Sequence, residues 1–342
     1  VVIENGGNGS WDANLYSNSS NEPQLVNSTI TKSDGFGLRL ASANLSVENS
    51  TFSENSKHGV YCDNSNPGFT GCDFTNNATA GIRYGTSSSD ASFSDCNITG
   101  NKYGIYYNTP NKTFSTISGI TSYNNTYGGI AMDGGDITAN RTWHYNPQGY
   151  AVLGDIKIVK QNAYVTLTIK PGNTIRFDST VNLQVGNYIH YQQHYAGQIY
   201  AVGTADSLIT FTSLNGQPGG WDGIFFHYNS DSFGAQSEFT HCIIENGSNY
   251  NIKSEDSVEP RIHECEIISA MGHQIFAANP NSVPHVTATN STVVVGAGTQ
   301  SIDRTWYNFG GEYHVIGDII IAKQDSRSRL TIQPGITVRL SP

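Results

Sequence analysis

Hydrophobic and polar positions alternate in short runs along this chain, and the runs recur on a beat. Five copies of one phrase stand at Gly37-Leu38-Arg39-Leu40, Gly59-Val60-Tyr61-Cys62, Gly81-Ile82-Arg83-Tyr84, Gly104-Ile105-Tyr106-Tyr107 and Gly129-Ile130-Ala131-Met132, with steps of 22, 22, 23 and 25 residues between glycines. A second phrase keeps the same period: Ile30, Phe52, Phe74, Ile98 and Tyr123 are each followed by Ser, Thr or Asn. A period in the twenties marks a solenoid. No run carries apolar residues at the 3.6 spacing of a helix, which excludes leucine-rich and helical repeats. Each period holds short alternating runs separated by Asn, Ser, Gly, Asp and Thr, residues that tolerate left-handed backbone and bond their own backbone in turns. The expectation is an all-β, single-stranded parallel β-helix of about 13 rungs.

Strand alternation sorts each phrase into two faces. Leu38, Val60, Ile82, Ile105 and Ile130 share the core face with Leu40, Cys62, Tyr84, Tyr107 and Met132, which leaves Arg39, Tyr61, Arg83, Tyr106 and Ala131 to stack on the outside. Tyr61 and Tyr106 then lie two rungs apart, about 9.6 Å, a spacing comparable to the disaccharide repeat of an extended β-1,4-linked glycan. Sugar rings pack their CH faces on aromatic rings, and Arg39 and Arg83 can donate to hydroxyls. The alternative is a purely structural Arg–Tyr stack covering the sheet.

A longer duplication overlays the short beat. Arg141-Thr142-Trp143 through Pro171-Gly172 to Phe177 matches Arg304-Thr305-Trp306 through Pro334-Gly335 to Leu340, at an offset of 163 residues. Val2-Ile3-Glu4-Asn5-Gly6 matches Ile243-Ile244-Glu245-Asn246-Gly247 at an offset of 241, so the second unit is shorter by about three rungs. One continuous domain over 1–342 is expected, with duplicated segments 1–178 and 241–342 and an insertion-rich middle, 179–240. Both ends fall mid-unit, so the chain is expected to be a fragment of a longer multi-modular protein, with any signal peptide upstream.

Composition narrows the function classes. Only 13% of residues are charged and the net charge is -10, with no basic run. That argues against nucleic acid and anionic membrane partners, and no apolar stretch approaches the ~18 residues of a membrane span. The five cysteines include rung-matched Cys72 and Cys96, and Cys242 and Cys265. They read as a buried ladder rather than a disulfide framework, and no spacing suggests zinc.

Three further groups carry candidate chemistry. Trp11 and Tyr16 lie in an insertion, residues 6–20, that the matching stretch 247–254 lacks, and inserted turns on solenoids often build binding surfaces. Tyr188, Tyr191 and Tyr195 belong to a Tyr-, His- and Gln-rich segment suited to neutral hydroxylated ligands, or else to a hairpin packed on the solenoid. Asp133 and Asp136 are weak calcium candidates, though Asp and Gly are also ordinary turn residues. Trp143, Trp221 and Trp306 read as packing residues.

Gly203-Thr204-Ala205-Asp206, Ile209-Thr210-Phe211-Thr212-Ser213 and Gly219-Gly220-Trp221-Asp222-Gly223-Ile224, with the two Pro-Gly-x-Thr phrases, closely resemble bacterial secreted proteins of the right-handed parallel β-helix, pectate-lyase-like superfamily. The resemblance implies extracellular or cell-surface work on polysaccharides; it identifies fold better than activity. A β-helix polygalacturonase would carry Asn-Thr-Asp, Asp-Asp, Gly-His-Gly and Arg-Ile-Lys. Here only Arg261-Ile262-His263 and Met271-Gly272-His273 come near, so no catalytic residue is assigned. The chain also resembles the β-helical carbohydrate-binding modules of family 89 attached to gut-bacterial xylanases. That resemblance implies a monomeric, non-catalytic module without a resident cofactor, holding an appended catalytic domain on plant cell-wall polysaccharide, xylan first. The rivals are a β-helix lyase or hydrolase whose carboxylates converge from different rungs, and an adhesin or structural stalk.

Overall fold

The computed structural model describes residues 1–18, 24–87, 89–112, 119–187, 194–287, 291–324 and 326–341. Tyr188 and Tyr191 lie outside these residues. Among the described residues the regular structure is nearly all β, with about 13 turns of parallel β-solenoid. The only helical segments there are the short 3-10 turns Ser232–Gly234 and Pro280–Ser282. Two compact units are present: Val1–Pro110 with Thr116–Asp133 and Asn146–Ala151, and Asn111–Ser115 with Gly134–Tyr145 and Val152–Pro342.

In unit 1 each coil contributes strands to parallel sheets. One sheet runs Val2–Glu4, Thr29–Thr31, Thr51–Ser53, Asp73–Thr75, Cys96–Thr99, Ile120–Tyr123. The Gly-phrase sheet runs Ala13–Ser17, Phe36–Ala41, Val60–Asp63, Ala80–Tyr84, Tyr103–Tyr107, Gly128–Met132. A third joins Gln24–Val26, Ser46–Glu48, Gly68–Thr70 and Ser92–Ser94. The inward positions are as the alternation demands: Leu38, Val60, Ile82, Ile105 and Ile130, and Leu40, Cys62, Tyr84, Tyr107 and Met132, are all buried.

The glycine that opens each phrase is there for closeness. A Cβ on Gly59 would lie 2.7 Å from the Gly81 carbonyl oxygen and 2.9 Å from the Asn77 amide nitrogen. That amide belongs to a buried asparagine ladder. Asn55 Nδ2 donates to Asn77 Oδ1 at 2.8 Å, Asn77 Nδ2 to Asn101 Oδ1 at 3.0 Å, and Asn101 Nδ2 to Asn125 Oδ1 at 3.1 Å. Each Oδ1 also accepts the backbone N–H of the preceding ladder residue. The ladder satisfies the polar backbone at a corner where no strand partner exists, as burial requires.

Two expectations of register are corrected. Tyr123 does not continue the Ile30-Phe52-Phe74-Ile98 column, because Ser122 stands opposite Ile98 and Tyr123 opposite Thr99. The longer last coil slips the phrase by one residue, which turns the side chain to the other face, and Tyr123 is exposed. Ala131, assigned outside, is fully buried, its methyl too short to emerge beside its register partner Tyr106.

Unit 2 is also built of parallel strands. Its largest sheet runs from Gly135–Ile137 through Ile224–Phe226 and Tyr250–Ser254 to Thr337–Leu340. A second holds Arg141–Trp143, Thr166–Ile169, Gln198–Val202, Glu238–Thr240, Arg261–His263 and His285–Thr287. Trp143, Trp221 and Trp306 are fully buried. Trp221 stacks on Phe177 with ring centroids 4.3 Å apart and donates its indole N–H to the Glu245 carbonyl at 2.7 Å. The five cysteines are free and buried.

Candidate functional site

The outward column of the Gly-phrase sheet gathers most of the residues singled out in the sequence. Register pairs Tyr16 with Arg39, Arg39 with Tyr61, Tyr61 with Arg83, Arg83 with Tyr106 and Tyr106 with Ala131. Tyr16 is therefore a strand residue and the first member of the ladder, which corrects its assignment to an inserted turn. The two copies explain why. Asn14 Oδ1 accepts the Gly6 N–H at 2.7 Å across eight residues, and Asn251 Oδ1 accepts the Gly247 N–H at 2.7 Å across four. Asn14 and Asn251 are thus equivalent, and the insertion is four residues, all before Asn14. The tyrosines now recur at every second rung, Tyr16, Tyr61 and Tyr106, about 9.6 Å from one to the next.

Trp11 does belong to the inserted turn, and the turn is pinned onto the sheet. Its ring stacks on Tyr16 with centroids 4.2 Å apart and planes 6° off parallel. Arg39 Nη1 donates to the Trp11 carbonyl at 3.2 Å, the Phe36 N–H donates to the Asp12 carbonyl at 2.7 Å, and Lys57 pairs with the Asp12 carboxylate. Trp11 is 53% exposed, whereas the other three tryptophans are at most 1% exposed. The Trp11 ring is thus held at the surface by several anchors and does not pack in the core.

Phe36 and His58 complete the surface. Phe36 stacks on Tyr61 at 4.8 Å and on His58 at 5.5 Å, and His58 lies 6.4 Å from Tyr61. Burial, then the positive Arg83 and Lys57, lower the His58 pKa to about 3, so the imidazole is neutral at physiological pH. Two buried polar atoms beside the Tyr61 ring have no protein partner, Arg39 Nε and His58 Nδ1, with the Arg39 guanidinium 5.6 Å from the ring centroid. Sequence reasoning missed both Phe36 and His58. The signal was present in the position before each glycine, which reads Phe36, His58, Ala80, Tyr103 and Gly128.

The far end of the ladder is closed differently. Arg83 lies 3.8 Å over the Tyr106 ring, its Nη2 donates to Asp133 Oδ2 at 2.9 Å, and the Tyr106 hydroxyl donates to Asp133 Oδ1 at 2.5 Å. Here the structural Arg–Tyr stack applies, and one face of Tyr106 is covered. Both oxygens of Asp133 accept from these partners. Burial and the Asp133 hydrogen bond raise the Tyr106 pKa to about 12. Although burial opposes it, bonding to Tyr106 and Asp133 raises Arg83 further above its usual range. Neither group takes up a proton from a substrate near neutral pH. Among the described residues no three His, Cys, Asp or Glu side chains converge as metal ligands.

The remaining candidates lie in unit 2. Asp136 is exposed and stands in register with Lys157. Tyr195 pairs antiparallel with Gln161 and is half-buried, as a hairpin packed on the solenoid would place it. Among the described residues no helix is long and apolar enough to cross a membrane.

Comparison with known families bears on the fold. Residues 3–127 match the family model described as right handed beta helix region. Residues 3–127 are thus similar to right-handed β-helix proteins, and the strands of both units pair in parallel as a β-solenoid. No curated protein and no solved structure matches this β-helix. Its fold is consistent with a carbohydrate-active or adhesin-like protein.

Proposed function

We propose that this β-helix is a non-catalytic carbohydrate-binding module, that its outward Gly-phrase face in unit 1 holds a neutral β-linked glycan, and that xylan is the first candidate. The observation that carries this reading is the exposed, near-parallel Trp11–Tyr16 plate, continued two rungs on by Tyr61. Rings supply faces for pyranose CH groups, and the Arg39 guanidinium can donate to hydroxyls. Charge supports a neutral ligand. Asp133 offsets Arg83 and Asp12 offsets Lys57, and among the described residues Arg39 pairs with no carboxylate. A polyanion would call for a stronger positive field.

The working context that follows is extracellular or cell-surface, with the module attached to a polysaccharide-degrading catalytic domain and acting as a monomer without a resident cofactor. The test is affinity electrophoresis on xylan, glucan, mannan and pectin, with parallel assays for reducing ends and unsaturated products. Retardation by xylan or another neutral glycan without products is the expected result. New chain ends or a rising double-bond absorbance would assign the β-helix to the hydrolases or lyases instead, and absence of retardation on every glycan would favour an adhesin or stalk.

A further inference from the structure

Unit 2 contains a cavity beside its Pro171-Gly172 turn. It has a volume of about 440 Å³ and is lined by Tyr145, Pro171, Gly172, Asp206, Ser207 and Leu208. Tyr145 is 53% exposed. Its ring lies against the turn, such that a Cβ on Gly172, itself at φ +81, would sit 3.1 Å from it. The opposite wall is a tight hairpin closed by reciprocal bonds, Thr204 N–H to the Ser207 carbonyl at 3.1 Å and Ser207 N–H to the Thr204 carbonyl at 3.0 Å. The Gly172 N–H donates to the same Ser207 carbonyl at 3.2 Å, which fixes the hairpin to the Pro171-Gly172 turn and leaves the Asp206 carboxylate exposed at its tip.

The duplicated segment shows what this turn needs in order to fold. At the position equivalent to Tyr145 stands Asn308, whose Nδ2 donates to the Pro334 carbonyl at 2.9 Å and whose N–H donates to Gln333 Oε1 at 2.8 Å. The matching Pro334-Gly335 turn is therefore completed by a short amide, and the exposed ring of Tyr145 is additional to what such a turn requires. What distinguishes this ring from a singly exposed one is that it lines a cavity together with Leu208 and Asp206.

We propose that Tyr145, Asp206 and Leu208 form a second glycan-binding pocket, in unit 2, that takes a single neutral pyranose unit presenting vicinal hydroxyls. The Tyr145 ring and Leu208 offer the apolar surface for the CH face, and the Asp206 carboxylate accepts from two hydroxyls at once. The volume is in the range of small-molecule pockets. The carboxylate disfavours uronic acids, and a single ring is a poor cage for an alkylammonium group, which is held by several. The proposal does not rest on the unit 1 face.

The experiment uses the full chain carrying Trp11→Ala and Tyr16→Ala, titrated with xylohexaose, mannohexaose, cellohexaose and galactohexaose by saturation-transfer NMR. Residual binding of at least one sugar is expected, weakened about tenfold by Tyr145→Asn, the residue its own copy uses, and by Asp206→Asn, and retained by Tyr145→Phe. No residual binding would overturn the second pocket while leaving the unit 1 site intact. Residual binding that Tyr145→Asn leaves unchanged would overturn it as well.

Discussion

Two faces of the same coils in unit 1 carry opposite chemistry. The sheet through Thr29–Thr31 and Asp73–Thr75 points Thr29, Thr51, Asp73, Asn97 and Thr121 outward in register, short side chains that suit a solvated strand. The Gly-phrase sheet, built from the same turns and on the same interior, points Tyr16, Arg39, Tyr61, Arg83 and Tyr106 outward. The first face shows what the solenoid requires of an outer surface. What the second adds in ring area and an anchored inserted turn exceeds that requirement, and the proposed site rests on that surplus.

The comparison breaks most completely from within. Both faces hang on the asparagine ladder, so Asn77→Ala should destabilise unit 1 by on the order of 3 kcal/mol, since it leaves the Asn55 amide and backbone N–H without their acceptor. Scanning calorimetry should show it, whereas a change within about 0.5 kcal/mol would mean that the ladder is dispensable. Acid acts through one face only. His58 has its folded pKa depressed to about 3, so its contribution is fully present above about 6.5 and is lost as pH falls toward 3. The loss by pH 4 is on the order of 3 kcal/mol, and His58→Phe, which keeps the stack on Phe36, should flatten that part of the stability profile. An unchanged profile would place the acid sensitivity elsewhere.

Much of this was legible in the sequence. The period gave the coils, and the alternation put Arg39, Tyr61, Arg83 and Tyr106 on one face because side-chain direction in a strand follows from residue parity alone. Parity failed where the coil length changed, at Tyr123. The role of the glycines was hidden because it depends on residues such as Asn77 and Gly81 beside Gly59, 18 and 22 residues along the chain, which no local rule reaches. The site itself was half visible. Tyr16 looked like part of an insertion until the Asn14 and Asn251 caps aligned the copies, and the pairing of Asp133 with Arg83, fifty residues apart, has no sequence signature.

Smaller changes sharpen the contrast. Asp133→Asn should weaken the Arg83 pair but cost less than about 1 kcal/mol, because both partners are partly solvated, and it should leave glycan retardation unchanged if binding is centred on Trp11, Tyr16 and Tyr61. Loss of retardation in that variant would move the site to the Tyr106 end. Thr51→Ala on the plain face should alter neither stability, within about 0.5 kcal/mol, nor binding, and a binding defect there would erase the distinction between the faces.

The most direct measurement sets the two faces against each other in one affinity-electrophoresis series on xylan, glucan and mannan. Trp11→Ala with Tyr16→Ala should reduce retardation by at least about tenfold in apparent affinity at unchanged melting temperature, while Thr51→Ala with Thr75→Ala should match the parent chain. Equal retardation of both double variants would contradict the account.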